Sequence, residues 1–301
     1  NGTPGALTTR LVDDSKSITA AGAVSFDGVN DYISIPRSIQ DSFSISFWFK
    51  PTANGAGSDG VQWYGGTGLV DGEVAGVTND FGISWSAGIS PAAGTVHFGV
   101  GNPDVTLHAT GVSLNEWHQV TATRDKSSGT IALYIDGTLK ATGTGGTQTL
   151  NSPSVLNIGR LQTGVNGYFE GLISEVQLWS KALSSQEVTT YLSTQPVSST
   201  PGLVAYYEFN EGAGTTVDAL GNTSGTLRGN LLNGPGWTSE RVNVSTSGGT
   251  TAYSSATVVL STTVNPVNDA PVAAGTNPTL ATISEDPGPV AQVSTLTLSG
   301  T

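Results

Sequence analysis

Cysteine and methionine are absent from the 301 residues, histidine occurs three times, and charged residues make up only 11% of the chain. Without cysteine there is neither a disulfide framework nor a thiolate metal site. Lysine and arginine together number 11 against 23 aspartates and glutamates, a formal net charge of −12. No basic patch is present to displace phosphate counterions, so nucleic acid is not an expected partner. An acidic surface poor in lysine suits divalent cations or high salt, and equally suits plain solubility. No apolar run is long enough to span a bilayer and no signal peptide is visible. Membrane insertion is therefore not expected. The lack of methionine, position 1 included, leads us to expect a segment of a longer chain.

What the chain does hold is glycine, 40 of them, with abundant Ser, Thr and Asn and short apolar runs. That is the composition of an all-β protein with many turns. The organising stretch is residues 23–51. In Phe43-Ser44-Ile45-Ser46-Phe47-Trp48-Phe49 the apolar residues Phe43, Ile45, Phe47 and Phe49 share one face, the period-two mark of a strand over a core. Upstream, Asp27, Asn30 and Asp31 crowd a turn that contains Gly28. Asp136-Gly137 suits a two-residue hairpin turn in which both residues need positive φ. Ser184 and Glu187 have capping-box spacing, with Leu183 and Val188 as a hydrophobic staple, and predict a short helix docked on the sheet edge. Residues 52–80 read as one long glycine-rich connection. Such connections are commonly functional, and this one holds Asp59, Trp63, Tyr64, Asp71, Glu73, Asn79 and Asp80. Asn102 and Asp104 occupy a later turn.

FDGVNDYISIP followed by FSISFWFKP resembles the opening of the laminin-G-like jelly roll of the concanavalin-like lectin and pentraxin superfamily. NEWHQVTATRD (115–125), IALYIDGTLKATG (131–143), LNIGR (156–160) and FEGLISEVQLWSKALSSQEV (169–188) continue it in the family's order. GLVAYYEFNEGAG (202–214) resembles a segment that often adjoins these domains. From about residue 241 the character changes to Thr/Val strands. NPVNDAPV there resembles the junction between cadherin-like repeats of bacterial adhesins, and SEDPG the start of the next repeat. The expected fold is all-β: a laminin-G-like jelly-roll β-sandwich with one short helix over residues 1–240, then smaller cadherin- or Ig-like β segments over 241–301. The resemblance implies a monomeric module of a large bacterial RTX-type adhesin, extracellular and on the cell surface. Absence of cysteine agrees better with that setting than with an animal ectodomain.

Four groups of residues carry the functional expectation. Asp27, Asn30 and Asp31 supply oxygens suited to calcium, with Glu175 placed by the resemblance to complete the shell; the same residues can simply close the turn as Asx side chains do. Asp59, Asp71, Glu73, Asn79 and Asp80 lie about where pentraxins present an Asp-Asn pair to a ligand-binding calcium. The further acidic loop of the pentraxin pattern is missing here, which leaves one calcium, direct sugar binding, or solvated loops open. Trp63, Tyr64 and Trp85 are candidate stacking platforms, with Trp63 the expected exposed ring and Trp85 the expected core residue. Asn268, Asp269, Glu285 and Asp286 can share a calcium between repeats, or form an ordinary Asn-Asp-Ala-Pro turn. Catalysis has little support. The histidines lack metal-ligand spacing, and no G-x-S-x-G occurs. The glycosidase strand pattern of the fold lacks its middle Asp in Glu170–Glu175.

The reading is a calcium-dependent carbohydrate-binding module, not an enzyme, with glycans on cell surfaces or in extracellular polysaccharide as partners. Terminal hexose or fucose-like sugars would suit it. A calcium-stiffened spacer and a protein- or peptide-binding module are the alternatives.

Overall fold

In the computed structural model, residues 22–58, 60–88, 93–163, 167–238 and 240 are described. They build two eight-stranded antiparallel sheets and one helix. The strands of the first half are β1 (Ala23–Asp27), β2 (Tyr32–Pro36), β3 (Phe43–Pro51), β4 (Thr67–Asp71), β5 (Phe81–Ala87), β6 (Ala93–Val100), β7 (Val105–Ser113) and β8 (His118–Asp125). The second half adds β9 (Thr130–Ile135), β10 (Thr138–Thr144), β11 (Val155–Ile158), β12 (Glu170–Trp179), helix α1 (Ser185–Ser193), β13 (Leu203–Tyr207), β14 (Thr216–Asp218), β15 (Arg228–Leu232) and β16 (Gly236–Thr238). One sheet runs β10-β9-β8-β3-β12-β1-β16, with β13 also on β12; the other runs β14-β15-β2-β11-β4-β5-β6-β7.

The period-two residues of β3 lie where alternation places them. Phe43, Ile45, Phe47 and Phe49 enter the main core between the sheets, against Phe81, Trp85 and Phe98 from the facing sheet. The opposite face of β3 is buried too. Ser46 Oγ bonds Thr121 Oγ1 across to β8 at 2.9 Å, and Ser44 Oγ accepts from the Leu183 N–H at 2.8 Å. Trp48 packs beneath Leu192 and Trp117.

Helix α1 is the reason. Its capping box forms as the sequence predicts, Ser184 accepting from the Glu187 N–H while the Glu187 carboxylate accepts from the Ser184 N–H. The helix does not sit on the sheet edge, however. Val188 and Tyr191 pack on Ala132, Tyr134 and Trp179 of the sheet's outer surface, with the Trp179 and Tyr191 ring centroids 4.6 Å apart. Those outward residues are large and apolar, so covering them removes more apolar surface from water than an edge position could.

The hairpin between β9 and β10 turns at Asp136 (φ 52°) and Gly137 (φ 72°), the double positive φ that the dipeptide predicts. Strand β16 pairs with β1 and strands β14 and β15 extend β2, so residues beyond α1 complete both sheets. Among the described residues no helix is long and apolar enough to cross a membrane.

Residues 52–80 are not one connection. Thr67–Asp71 is a sheet strand between β5 and β11. Its short apolar core, Leu69-Val70, is hidden in the sequence by flanking glycines. The segment before it folds over the outer face of β5–β7, tied down by Ser86 Oγ donating to the Ser58 carbonyl and by the Trp63 N–H donating to Thr106 Oγ1.

Candidate functional site

A short 3₁₀ turn at Trp63–Gly65 and the β4–β5 connection, Gly72–Asp80, meet at one end of the second sheet. The connection is closed by its own backbone, Gly72 N–H to Phe81 O at 3.0 Å and Val77 N–H to Val74 O at 3.0 Å. Between the two lies a pocket of about 280 Å³ whose wall includes Trp63, Tyr64, Glu73, Thr78, Asp80 and Asp104.

The two aromatic residues divide the work in the opposite way from the sequence expectation. Trp63 is 1% exposed and Tyr64 39% exposed. The cause is a pair of glycines in register, Gly82 on β5 opposite Gly99 on β6. A Cβ on Gly82 would lie 2.9 Å from Trp63 Cζ3, and one on Gly99 would collide with the indole Cδ1. The missing side chains make the bay that receives the indole, and Tyr64 is left with its ring edge-on to Trp63 and facing water. Trp85 is a core residue as expected, its Nε1 donating to the Ala53 carbonyl at 3.0 Å.

The carboxylates form a graded series. Asp71 is fully buried behind the pocket, where Oδ2 accepts from the N–H groups of Gln162 (2.7 Å) and Glu73 (3.1 Å). Burial, with Glu73 and Asp80 nearby, pushes its carboxyl up to about 8, so it is largely protonated at neutral pH. Asp80 Oδ2 accepts from the Val74 N–H at 2.9 Å, and burial together with the Glu73 and Asp104 charges raises its pKa to about 6. Glu73 is raised in the same direction by burial. Three polar atoms of this wall are buried without a hydrogen-bond partner: Asp80 Oδ1, Glu73 Oε2 and Trp63 Nε1. Buried polar groups are ordinarily satisfied, and leaving them unmade costs roughly 1–3 kcal/mol each. Orphaned atoms of this kind also occur elsewhere, Asp31 Oδ1 and Trp48 Nε1 among them.

Of the other residues expected here, Asn79 and Asn102 are not brought to the pocket wall. The Asn79 side chain is engaged with Asn151, and Asn102 stands exposed in the β6–β7 turn. Asp59 lies outside the described residues, as do Asn268, Asp269, Glu285 and Asp286. Thr78, also in the wall, was not singled out by sequence; a threonine in a polar loop carries no local signal.

The Asp27–Asp31 turn has a different use for its acids. Asp27 Oδ1 accepts from the N–H groups of Val29 (2.8 Å) and Asn30 (3.3 Å), and Asp31 Oδ2 accepts from the Asp27 N–H at 3.2 Å. Backbone donors hold the Asp27 carboxyl below the usual range. Glu175 does not join this turn. The β1–β12 register sets Glu170 opposite Asp27, because Glu175 lies five residues further along β12 at a bulge, with φ 53°. There Glu175 accepts from Gln195 Nε2 at 2.7 Å, and burial pushes its carboxyl up to about 7 with Glu208 adding to the effect. Among the described residues no three acidic or histidine side chains are placed to hold one metal ion.

Two hydrogen-bond chains bear on catalysis. Ser86 Oγ, His97 and His108 are linked at 2.7 and 2.8 Å inside the protein, and burial drives the His97 pKa down to about 3, so it stays a neutral spacer. At the surface, Ser113 Oγ lies 2.8 Å from His118 Nε2, and His118 Nδ1 lies 2.8 Å from Asp136 Oδ2, the order of a nucleophilic triad. Ser113 donates its single proton to Glu116 Oε2 at 2.6 Å instead. The hydroxyl proton is thus claimed by a carboxylate in competition with the imidazole.

The described residues thus form a two-sheet jelly-roll domain with a pocket at one end of its second sheet. The sequence matches the concanavalin A-like lectin/glucanases superfamily over residues 27–189, more than half of the chain, and the chain belongs to that superfamily. A comparison with curated proteins finds no match. Among solved structures, a Bacteroides ovatus protein assigned to carbohydrate binding is similar at 21% identity and a TM-score of 0.55, covering 74% of this chain and 60% of that one. Domain 4 of the extracellular arabinanase AbnA from Geobacillus stearothermophilus, in complex with arabinotriose, aligns at 18% identity and a TM-score of 0.42 over 57% of this chain and 76% of its own. The CBM40 of the Ruminococcus gnavus IT-sialidase, bound to α2,3-sialyllactose, aligns at 18% and 0.42 over 58% and 99%.

Proposed function

We propose that this domain is a carbohydrate-binding module, without catalytic activity, that seats a glycan in the pocket between Tyr64 and the β4–β5 connection. The observation that carries the reading is the pocket itself, walled by the exposed Tyr64 ring together with Glu73, Asp80 and Asp104. Sugar hydroxyls are at once donors and acceptors, and the C–H face of a pyranose packs on an aromatic ring. A few convergent polar groups with an aromatic wall are what a small-ligand site needs. Membership of a lectin-containing superfamily and the Bacteroides ovatus likeness support the reading at the level of fold. The setting we propose is an extracellular adhesin on a bacterial surface, supported by NPVNDAPV (265–272) and its likeness to a repeat junction.

Calcium is the second reading. All-oxygen donors and two orphaned carboxylates suit a hard cation in kind, although calcium takes six to eight oxygens and no three-residue set stands ready among the described residues. Sugar hydroxyls would have to supply the balance. A glycan array run in calcium and again in EDTA, with wild type and Asp80→Asn, tests both. Binding lost in the variant supports the pocket, and binding also lost in EDTA supports the ion. An array blank in both buffers overturns the carbohydrate reading in favour of a spacer or protein-binding module.

A further inference from the structure

The proposed sugar site has a charge pattern that narrows its ligand. Glu73, Asp80 and Asp104 all stand in the wall, and no Lys, Arg or His is among the described residues lining it. Asp80 is 2% exposed and keeps Oδ1 without a partner; Asp31 does so too, but Asp80 stands with two further acids in the wall of a cavity. A separate group, the Trp63 indole, keeps a buried N–H donor unused in the same wall. An occupant that brings positive charge or several donors to the acidic side and an apolar face to Tyr64 matches this lining.

Resting on the carbohydrate reading, we propose that the site selects amino sugars with a free ammonium group, of the 2-amino-2-deoxyhexose class, over neutral, N-acetylated and acidic sugars. An ammonium carries three donors and no acceptor, and its hydrogen bonds to carboxylates are charge-assisted and about twice as strong as neutral ones. A carboxylated sugar would bring like charge to a wall that already has three acids, a costly arrangement. N-acetylation removes the charge. An ammonium also needs fewer ligands than calcium, which agrees with the lack of a three-residue metal set among the described residues.

The test is titration of the whole chain in EDTA with the fully deacetylated glucosamine trisaccharide, its tri-N-acetylated counterpart and sialyllactose, followed by tyrosine and tryptophan fluorescence. The expected result is binding at least about tenfold tighter to the free amine than to the acetylated sugar, and none to sialyllactose. Asp80→Asn should erase the preference. Because Asp80 also holds the Val74 N–H, the exposed Asp104→Asn is a second variant, expected to reduce the preference with unchanged melting. Equal or tighter binding of the acetylated or acidic sugar overturns the amino-sugar inference while leaving the carbohydrate reading intact. A preference that survives both variants also overturns it, since the charge would then lie elsewhere. Failure of every sugar, in calcium as in EDTA, removes both.

Discussion

Two acidic places in this domain look alike in sequence and differ in structure. In the Asp27–Asp31 turn the exposed Asp27 is occupied by local backbone N–H groups and held below its ordinary pKa, while the buried Asp31 keeps Oδ1 without a partner and is pushed above its own by burial. In the β4–β5 pocket, Glu73 and Asp80 are buried with oxygens to spare and are pushed above theirs. The first closes on its own backbone; the second lines a pocket, where we propose that the ligand binds. Acid content does not separate scaffold from site. An orphaned oxygen with a raised pKa does not either, since Asp31 and Asp80 both have one; the cavity that Asp80 shares with Tyr64 does.

The largest expected effect is on the bay that makes the pocket possible. Gly99→Val should displace the Trp63 indole, lower stability by about 3 kcal/mol as overpacking does, and abolish sugar binding. Thermal melting and quenching of tryptophan fluorescence would check it; an unaltered melt would mean the indole is not seated on Gly82 and Gly99.

Asp80→Asn should separate stability from binding. A carboxyl whose folded pKa is above its unfolded value stabilises fully below the unfolded value, and that contribution is lost as pH rises through the folded one. For Asp80 the window runs from 3.8 to about 6. The variant should therefore be more stable than wild type at pH 8, by about 1–3 kcal/mol at roughly 1.4 kcal/mol per pKa unit, with the advantage gone at pH 3, while sugar affinity falls. Stabilisation with loss of function is the usual sign of a strained site.

Tyr64→Ala should weaken sugar binding by about 1 kcal/mol, the scale of a ring contact, and change melting little, because the residue lies at the surface, outside the core. Asp27→Asn gives the smallest effect and the opposite pH sign. Its folded pKa is depressed, so wild type should hold an advantage of about 0.5–1 kcal/mol at pH 7, comparable to a helix cap, that disappears as pH falls through the folded pKa. Sugar affinity should not change. If Asp27→Asn impairs binding and Asp80→Asn does not, the contrast between the two places is reversed.

What could be seen in the sequence was local. Alternation in Phe43–Phe49, the Ser184–Glu187 box and Asp136-Gly137 each involve neighbours a few residues apart, and each forms as expected. The aromatic and acidic richness of residues 63–80 pointed to the pocket for the same reason. What could not be seen depends on register. Gly82 and Gly99 are ordinary glycines until β5 and β6 pair them, and only then does Trp63 have a bay and Tyr64 become the exposed ring. Likewise, family resemblance set Glu175 beside Asp27, but position along β12 decides it, and the register brings Glu170 there. The helix lies on the sheet face rather than its edge because Ala132, Tyr134 and Trp179 turn outward together, from strands far apart in the chain.

The most direct test of the account is sugar binding by wild type and Asp80→Asn, measured side by side on one glycan array in EDTA and in calcium, with melting recorded for both proteins. The account predicts a bound glycan for wild type and loss of that signal in a variant that melts no lower at pH 8. An undiminished glycan signal in a folded Asp80→Asn protein would contradict it, because the sugar would then lie outside the pocket that Asp80 and Tyr64 define.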